Sequence, residues 1–552
     1  MYRFWPASQI KPWIILVTKM IKKAVLCGTK SLDVSKLSVP LNRHKTLTPT
    51  PSFGSRLSAG GPETDTNTSG SRTPEEAAGE DKDETPPRIL MGEDAPVYEG
   101  YRLHLPAQMR DRNPFNVLQI LKDCIGKDVT RIAMPISINE PLTLLQRFAE
   151  NLEYIELLEK ASNCTDSLDR LKHISAFVVS GLSGILERIS KPFNPILGET
   201  FEMTHPNGRT RFVAEQVSHH PPICVFHLED IEGRFKLTGS CQAKIKFLGR
   251  AVNIHVKNVV SLEFPEYDET YSWGAVDCVV DNLFIGKPRI EYDGTFTITN
   301  NKTKEYAKFD VHNTSMFTNK KPNEVEGHIY DTENNKKFYL FGFCNSHLCV
   351  ANYTESIHKQ RGKLNRQITP NTPGSKKGKN EGEAVFEEPE METAKFEQPE
   401  KESDHDEENM KKSREKTPSS DGDKSDDVID FDTLWAVNAR PIWCQDEYCL
   451  TSFATILNEI TDDISKRFEE GTIPKTDSRF RPDLRKLENG DLEKGAEEKL
   501  RLESKQRQAE KARSKSKDNW TPLWFVWNEQ NKKWEFNHTY WDRKYENSPD
   551  IF

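Results

Sequence analysis

The chain has 552 residues and a formal net charge of -9, with 30% of residues charged and 35% hydrophobic; its mean hydropathy is -0.72. Such a length admits a few domains, or one large domain with solvated extensions, and the low hydropathy says that much of the chain is not packed. The acidic balance argues against bulk nucleic-acid binding, which calls for a basic surface, and 10 scattered cysteines without a CxxC pair read as free thiols rather than a disulfide scaffold or zinc module.

Near the N-terminus, Trp13 to Val17 is an apolar run followed by Lys19, Lys22 and Lys23. It is shorter than the roughly 20 residues that cross a bilayer, and no signal-peptide cleavage site is clear. A frayed or membrane-surface segment is the favoured reading. Residues 1–94 read as a disordered region, because the stretch from about Lys30 to Glu93 is rich in Ser, Thr, Pro, Gly and acids. In the following segment, 95–134, Phe115, Leu118, Leu121 and Ile125 recur at helical spacing and give one apolar face.

Helices are expected over Leu142 to Leu158 and Leu168 to Ile189, the second apolar on much of its surface and therefore buried. Alternating strands follow at Phe235 to Thr238, Ala243 to Phe247, Val252 to Val256 and Thr295 to Thr299, and again within Tyr306 to Val311 and Lys337 to Phe343. Alternation buries one face per strand. Many such strands joined by Gly, Asn and Asp turns predict a large antiparallel sheet or barrel, able at sufficient size to hold an apolar ligand. The fold class is thus α+β.

Residues 358–428 read as a disordered acidic insertion, where Lys376, Lys377 and Lys379 give way to Glu and Asp. The domain is expected to span 135–357 and to resume over 429–552. In that second part Ser452 to Ile464 and about Leu492 to Arg513 look helical. Trp524, Trp527, Trp534 and Trp541 are expected to pack the C-terminal tail onto the domain.

Three clusters could carry chemistry. The first is Glu215-Gln216-Val217-Ser218-His219-His220-Pro221-Pro222. Proline disfavours a helical conformation at His220, so the pair sits on a stiff corner. Extended neighbours point to opposite faces, and a turn can bring both rings to one ligand. An anion site, a structural corner, a metal site and a general base near Glu215 all remain open for the pair. The second cluster is Lys191-Pro192-Phe193-Asn194-Pro195, which displays Lys191 after an apolar helix; a helix-terminal lysine meeting the dipole is the plainer alternative. The third is Lys499, Glu503 and Arg507, four residues apart on one helical face, where Glu503 can pair with both bases. These three read either as a solvated helix or as a docked one aiming its cations inward. Together the clusters suit a phosphomonoester, with its charge and acceptor oxygens. The His-x-x-x-His zinc-protease pattern, the GxSxG elbow and the Walker loop are not visible in the sequence, which leaves an enzyme, a metal or a cofactor the least favoured of these readings.

These same residues resemble the oxysterol-binding-protein-related family. The eight-residue histidine motif matches its signature without a gap. Lys191 to Pro195 with Leu197-Gly198-Glu199, Pro474 to Asp483, and the helix beginning Glu498-Lys499 match its other motifs. The likeness runs from about Asn113 to Phe552, and it is closest to the short subgroup without a pleckstrin-homology domain. It implies a nearly complete antiparallel barrel whose tunnel, closed by an N-terminal lid, holds a sterol or a phosphoinositide (phosphatidylinositol 4-phosphate or 4,5-bisphosphate). By position, it makes Lys191, Pro192, Phe193, Asn194, His219, His220, Lys499, Glu503 and Arg507 the headgroup contacts. It places Val129, Thr130, Arg131, Ile132, Ala133 and Met134 against the ligand, with Phe115, Leu118, Leu121 and Ile125 as the lid's apolar face. It further implies sterol or oxysterol exchange between membranes by a cytoplasmic, peripherally bound protein that binds no nucleic acid. No clear FFAT motif accompanies it. The second reading is a lipid-dependent sensor or scaffold that presents the disordered segments to protein partners.

Overall fold

The computed structural model describes residues 91–109, 134–248, 251–282, 288–311, 321–357, 430–516 and 519–552. The predicted lid positions Phe115, Leu118, Leu121 and Ile125, the residues Val129 to Ala133, and the insertion 358–428 lie outside the described residues, as do residues 1–90.

The strands are β1 (Asn139–Thr143), β2 (Lys191–Phe193), β3 (Thr200–Thr204), β4 (Thr210–His219), β5 (Pro222–Asp230), β6 (Lys236–Leu248), β7 (Ala251–Phe264) and β8 (Glu269–Trp273). They continue as β9 (Asp277–Asp281), β10 (Arg289–Asn300), β11 (Tyr306–Val311), β12 (Glu324–Tyr330), β13 (Lys336–Phe343), β14 (His347–Asn352), β15 (Asp432–Ala436), β16 (Phe525–Asn528) and β17 (Lys533–Phe536). Strands β3 to β15 form one 13-stranded sheet, nearly all in sequence order, with β9 pairing β7 and β10. Every ladder in it is antiparallel. The short ladder between β1 and β2 is parallel and sets Asn139 beside Lys191.

The period-two pattern works as expected in β11, where Ala307, Phe309 and Val311 are buried and Lys308 is exposed. It works less simply elsewhere. In the long β6–β7 hairpin Ile245 pairs with Ile254, yet both are only half-buried. In β4 both faces are covered. Phe212 and Ala214 face the main core, while Val213 and Val217 meet Trp524, Phe525, Phe536, Tyr540 and Tyr545 of the tail.

The helices are α1 (Leu144–Ala149), α2 (Glu156–Ser162), α3 (Ser167–Ser180), α4 (Ser452–Ile456), α5 (Asp462–Glu469), α6 (Pro482–Glu488) and α7 (Leu492–Ser516). The single helix expected over Leu142 to Leu158 is in fact the end of β1, then α1, a 3-10 turn over Glu150–Tyr154, and α2. Thr143 explains the break: its hydroxyl accepts the Gln146 N–H while the Gln146 side chain accepts the Thr143 N–H, a capping box that starts a helix there. Helix α3 is buried on much of its surface but stops at Ser180 instead of Ile189. The helix expected over Ser452 to Ile464 is two, because Thr451 and Thr461 each cap a fresh start. Leu145, Leu152, Ile174 and Phe177 pack with Phe212, Phe226, Leu262 and Phe309 in the main core, between the helices and the sheet. Helix α7 is fully buried only at Gly495 and Leu502, its other residues being half-buried or exposed.

The tail packs largely as expected. Trp524 is buried, and Trp534 and Trp541 are half-buried against Val213 and Val217. Trp527 is the exception: it is 39% exposed and touches only the edge of that cluster, its ring 5.6 Å from that of Trp534.

Candidate functional site

The β4–β5 hairpin carries the histidine pair at its tip. A register shift between Gln216 and Ser218 bends β4 just before the turn, and the His220–Pro221 peptide is cis. The turn overrides the alternation of an extended strand: the His219 and His220 rings lie 4.5 Å apart. His220 is half-exposed. His219 is deeper, and its Nδ1 is a buried atom with no hydrogen-bond partner among the described residues. Burial, and then the neighbouring His220, push the His219 imidazole down to about 4. At neutral pH it is therefore uncharged, with one ring N–H to donate and one lone pair to accept.

Glu215 takes no part in this chemistry. Its two carboxylate oxygens accept the backbone N–H groups of Leu523 and Trp524, each at 3.0 Å. The acid beside the histidines is thus an anchor for the tail. Loss of water around it raises its carboxyl to about 7.

Helix α7 faces the pair. His220 Nε2 is 3.9 Å from Glu510 Oε1. Between them opens a cleft of about 800 Å³ whose lining includes Val217, His219, His220, Gln506, Arg513 and Trp520. Glu510 and Arg513 were not singled out from sequence, although they continue the Glu503–Arg507 face by three-residue steps.

The same helix carries the third cluster further toward its start. Lys499 Nζ donates to the Met134 carbonyl at 2.8 Å and to Glu503 Oε1 at 2.5 Å. Arg507 lies 3.8 Å from Glu503 Oε2 and is largely exposed. Glu503 therefore sits between the two bases, and Met134 touches the first of them.

Lys191 opens β2, eleven residues after α3 ends at Ser180, so the helix-dipole reading does not apply to it. Its ammonium donates to Asn194 Oδ1 at 2.6 Å and to the Pro192 carbonyl at 3.1 Å. Burial and then the positive charges of Lys499, Arg481 and Arg147 push it down to about 7, with Glu503 acting the other way. Phe193 is buried among Ile136, Leu484 and Leu487 and does not offer itself to a ligand. The half-buried Pro192 presents its carbonyl to Asn139 Nδ2 at 3.2 Å.

Sequence reasoning did not single out what holds this loop. The Arg481 guanidinium donates to the Asn194 carbonyl at 2.8 Å and to Glu199 Oε2 at 2.9 Å, and it grips both oxygens of Asp483. Pro474 to Asp483 was noted only as a family motif.

The structure thus brings Lys191 into one electrostatic neighbourhood with Lys499 and Glu503, and His219 with His220 into another, beside Glu510. One helix links the two: the 11 residues from Lys499 to Glu510 rise roughly 16 Å. A phosphate binding at Lys191 needs the charged ammonium. With Lys191 titrating near 7, affinity for a phosphate ligand placed there is expected to fall as pH rises from about 7 to 9, by up to about 10-fold per pH unit. It should fall far less in Lys191→Arg, whose cation keeps its charge. Binding to vesicles measured across that range checks this.

The chain belongs to the oxysterol-binding protein family, whose model matches residues 116–545. Among curated relatives, human oxysterol-binding protein-related protein 1 is 36% identical over 457 residues, covering 82% of this chain and 44% of the relative. The chain therefore spans less than half the length of that relative. Mouse oxysterol-binding protein-related protein 2 is 34% identical over 469 residues and is covered to 88%. Among solved structures, the Osh1 ORD domain in complex with ergosterol is 29% identical with a TM-score of 0.62, over 82% of this chain and 94% of that one. The Osh3 ORD of Saccharomyces cerevisiae in complex with PI(4)P is 26% identical with a TM-score of 0.59, over 82% and 98%. Among the described residues no helix is long and apolar enough to cross a membrane.

Proposed function

We propose that this protein binds a sterol and a phosphoinositide alternately in one interior site and exchanges them between membranes, touching each membrane peripherally from the cytoplasm. Lys191, Asn194, His219, His220, Lys499, Glu503 and Arg507 hold the phosphorylated headgroup in this reading. Pro192 and Phe193 position the loop, and Val129 to Met134 contact the ligand in the same reading. Phe115, Leu118, Leu121 and Ile125 cover the cargo.

The observation that carries the reading is the pair of sites along α7. A buried, unpartnered imidazole nitrogen of His219 lies beside one stretch of the helix, and a lysine with a depressed pKa lies beside another. A neutral imidazole can donate its N–H to a phosphate, and a crowded group of cations gains a counter-charge from one. Two complexes of related domains, one with ergosterol and one with PI(4)P, support the two cargo classes. A sterol leaves little polar trace. Its binding would come mainly from apolar area removed from water, at about 25 cal/mol per Å².

Incubating the purified chain with vesicles that contain both lipids, then weighing the intact complexes, tests this. One lipid per chain, of either class, is the expected result; a chain that extracts neither lipid overturns the reading.

A further inference from the structure

Away from the cleft, a second cluster of chemically capable side chains joins the tail to the sheet. His227 and Glu229 are two residues apart on β5, so they share one face. The tail packs on that face, with Phe536 stacked on the His227 ring at 4.5 Å. His538 arrives from the turn after β17, in the left-handed conformation at φ 63. His227 Nε2 is 3.2 Å from Glu229 Oε2, and His538 Nδ1 is 4.0 Å from the same oxygen. One ligand atom from each of the three residues falls within 4.8 Å of the others.

We propose that His227, Glu229 and His538 bind one divalent transition-metal ion of the zinc class, which fastens the C-terminal tail to β5. Two imidazoles and one carboxylate are a donor set that such ions accept, and bonds of roughly 2.0–2.2 Å place tetrahedral donors about 3.3 Å apart. The His227–Glu229 separation already matches that spacing, and His538 needs to close by about 0.7 Å on Glu229 and by up to about 1.5 Å on His227 to match it too.

The atoms behind the donors are also arranged for this role. The other nitrogen of His227, Nδ1, lies 2.8 Å from Thr238 Oγ1, which fixes the ring and leaves Nε2 facing the cluster. The other oxygen of Glu229, Oε1, accepts from Arg211 at 2.6 Å, which leaves Oε2 for the ion. A proton or a cation must lie between His227 Nε2 and Glu229 Oε2 at their separation. A proton joins only that pair, whereas a metal ion also gives His538 a partner. An adjacent cavity of about 210 Å³, lined in part by Lys236, Glu263 and His538, provides room for a water molecule as the fourth ligand. Trp534 lines both this cavity and the histidine cleft, so the ion would steady one wall of the cleft.

The test is a Co²⁺ titration of the purified, untagged chain, followed by the visible d–d absorption of tetrahedral cobalt and by displacement with Zn²⁺. One equivalent per chain is expected. His538→Asn should remove the band while circular dichroism stays unchanged, because residue 538 is exposed and asparagine tolerates the left-handed conformation. Thr238→Val, which removes only the hydroxyl behind His227, should weaken cobalt binding by about 10-fold or more. Absence of the band in the native chain, or a band that survives His538→Asn undiminished, overturns the proposal.

Discussion

Replacing both His219 and His220 with alanine is expected to lower phosphoinositide affinity on the order of 100-fold while leaving sterol binding nearly unchanged. Each hydrogen bond to a charged phosphate contributes about 1.5–3 kcal/mol, and the double variant removes two such donors. The fold should tolerate the change. His220 is half-exposed, and the Nδ1 of His219 gives up no internal hydrogen bond because it makes none among the described residues. The loss therefore falls on the ligand rather than on stability. Transfer of labelled phosphoinositide and labelled sterol between liposomes separates the two effects. Undiminished phosphoinositide transfer would show that the pair is a structural corner and not a clamp.

The second large effect is on stability. Arg481→Met is expected to cost about 3–5 kcal/mol, because it strands two buried carboxylates that now share one guanidinium. Asp483 receives both ends of that fork, and Glu199 receives a third N–H at 2.9 Å while also accepting from the Ile196 N–H and from Ser478. Burial raises the Glu199 carboxyl, and Arg481 is the main group holding it down. Removing the arginine therefore pushes Glu199 toward its protonated form. Adding Glu199→Gln to Arg481→Met should restore part of the loss, since one stranded charge disappears. The Asn194 carbonyl also loses its donor, so the Lys191 loop should loosen in the same variant. Denaturant unfolding of the single and double variants measures both terms. A loss below about 1 kcal/mol in Arg481→Met would mean that the network adds little.

Much of the sheet was legible in the sequence because alternation is a local property. Tyr306 to Val311 reads as a half-buried strand without reference to anything distant, and so it is. Helix ends were harder. Thr143 and Thr461 break the expected helices by capping new ones, and a threonine announces a cap only when its backbone is already extended. The recognisable part of the candidate site was what lies in short motifs: the histidine pair, Lys191 and the Lys499–Arg507 face. The remainder depends on partners far along the chain. Glu215 meets Leu523 and Trp524 some 308 and 309 positions away, and Arg481 meets Asn194 at a separation of 287. No spacing rule reaches across such distances. Glu510 and Arg513 needed a different piece of knowledge, namely which face of α7 turns toward the hairpin.

The central claim is that one site takes either of two unlike lipids, one at a time. Native mass spectrometry of the chain, loaded from vesicles holding sterol and phosphatidylinositol 4-phosphate together, reads this directly. The account predicts two bound species, each with a single lipid, and a shift toward the sterol species in His219→Ala/His220→Ala. A complex carrying both lipids on one chain would contradict it.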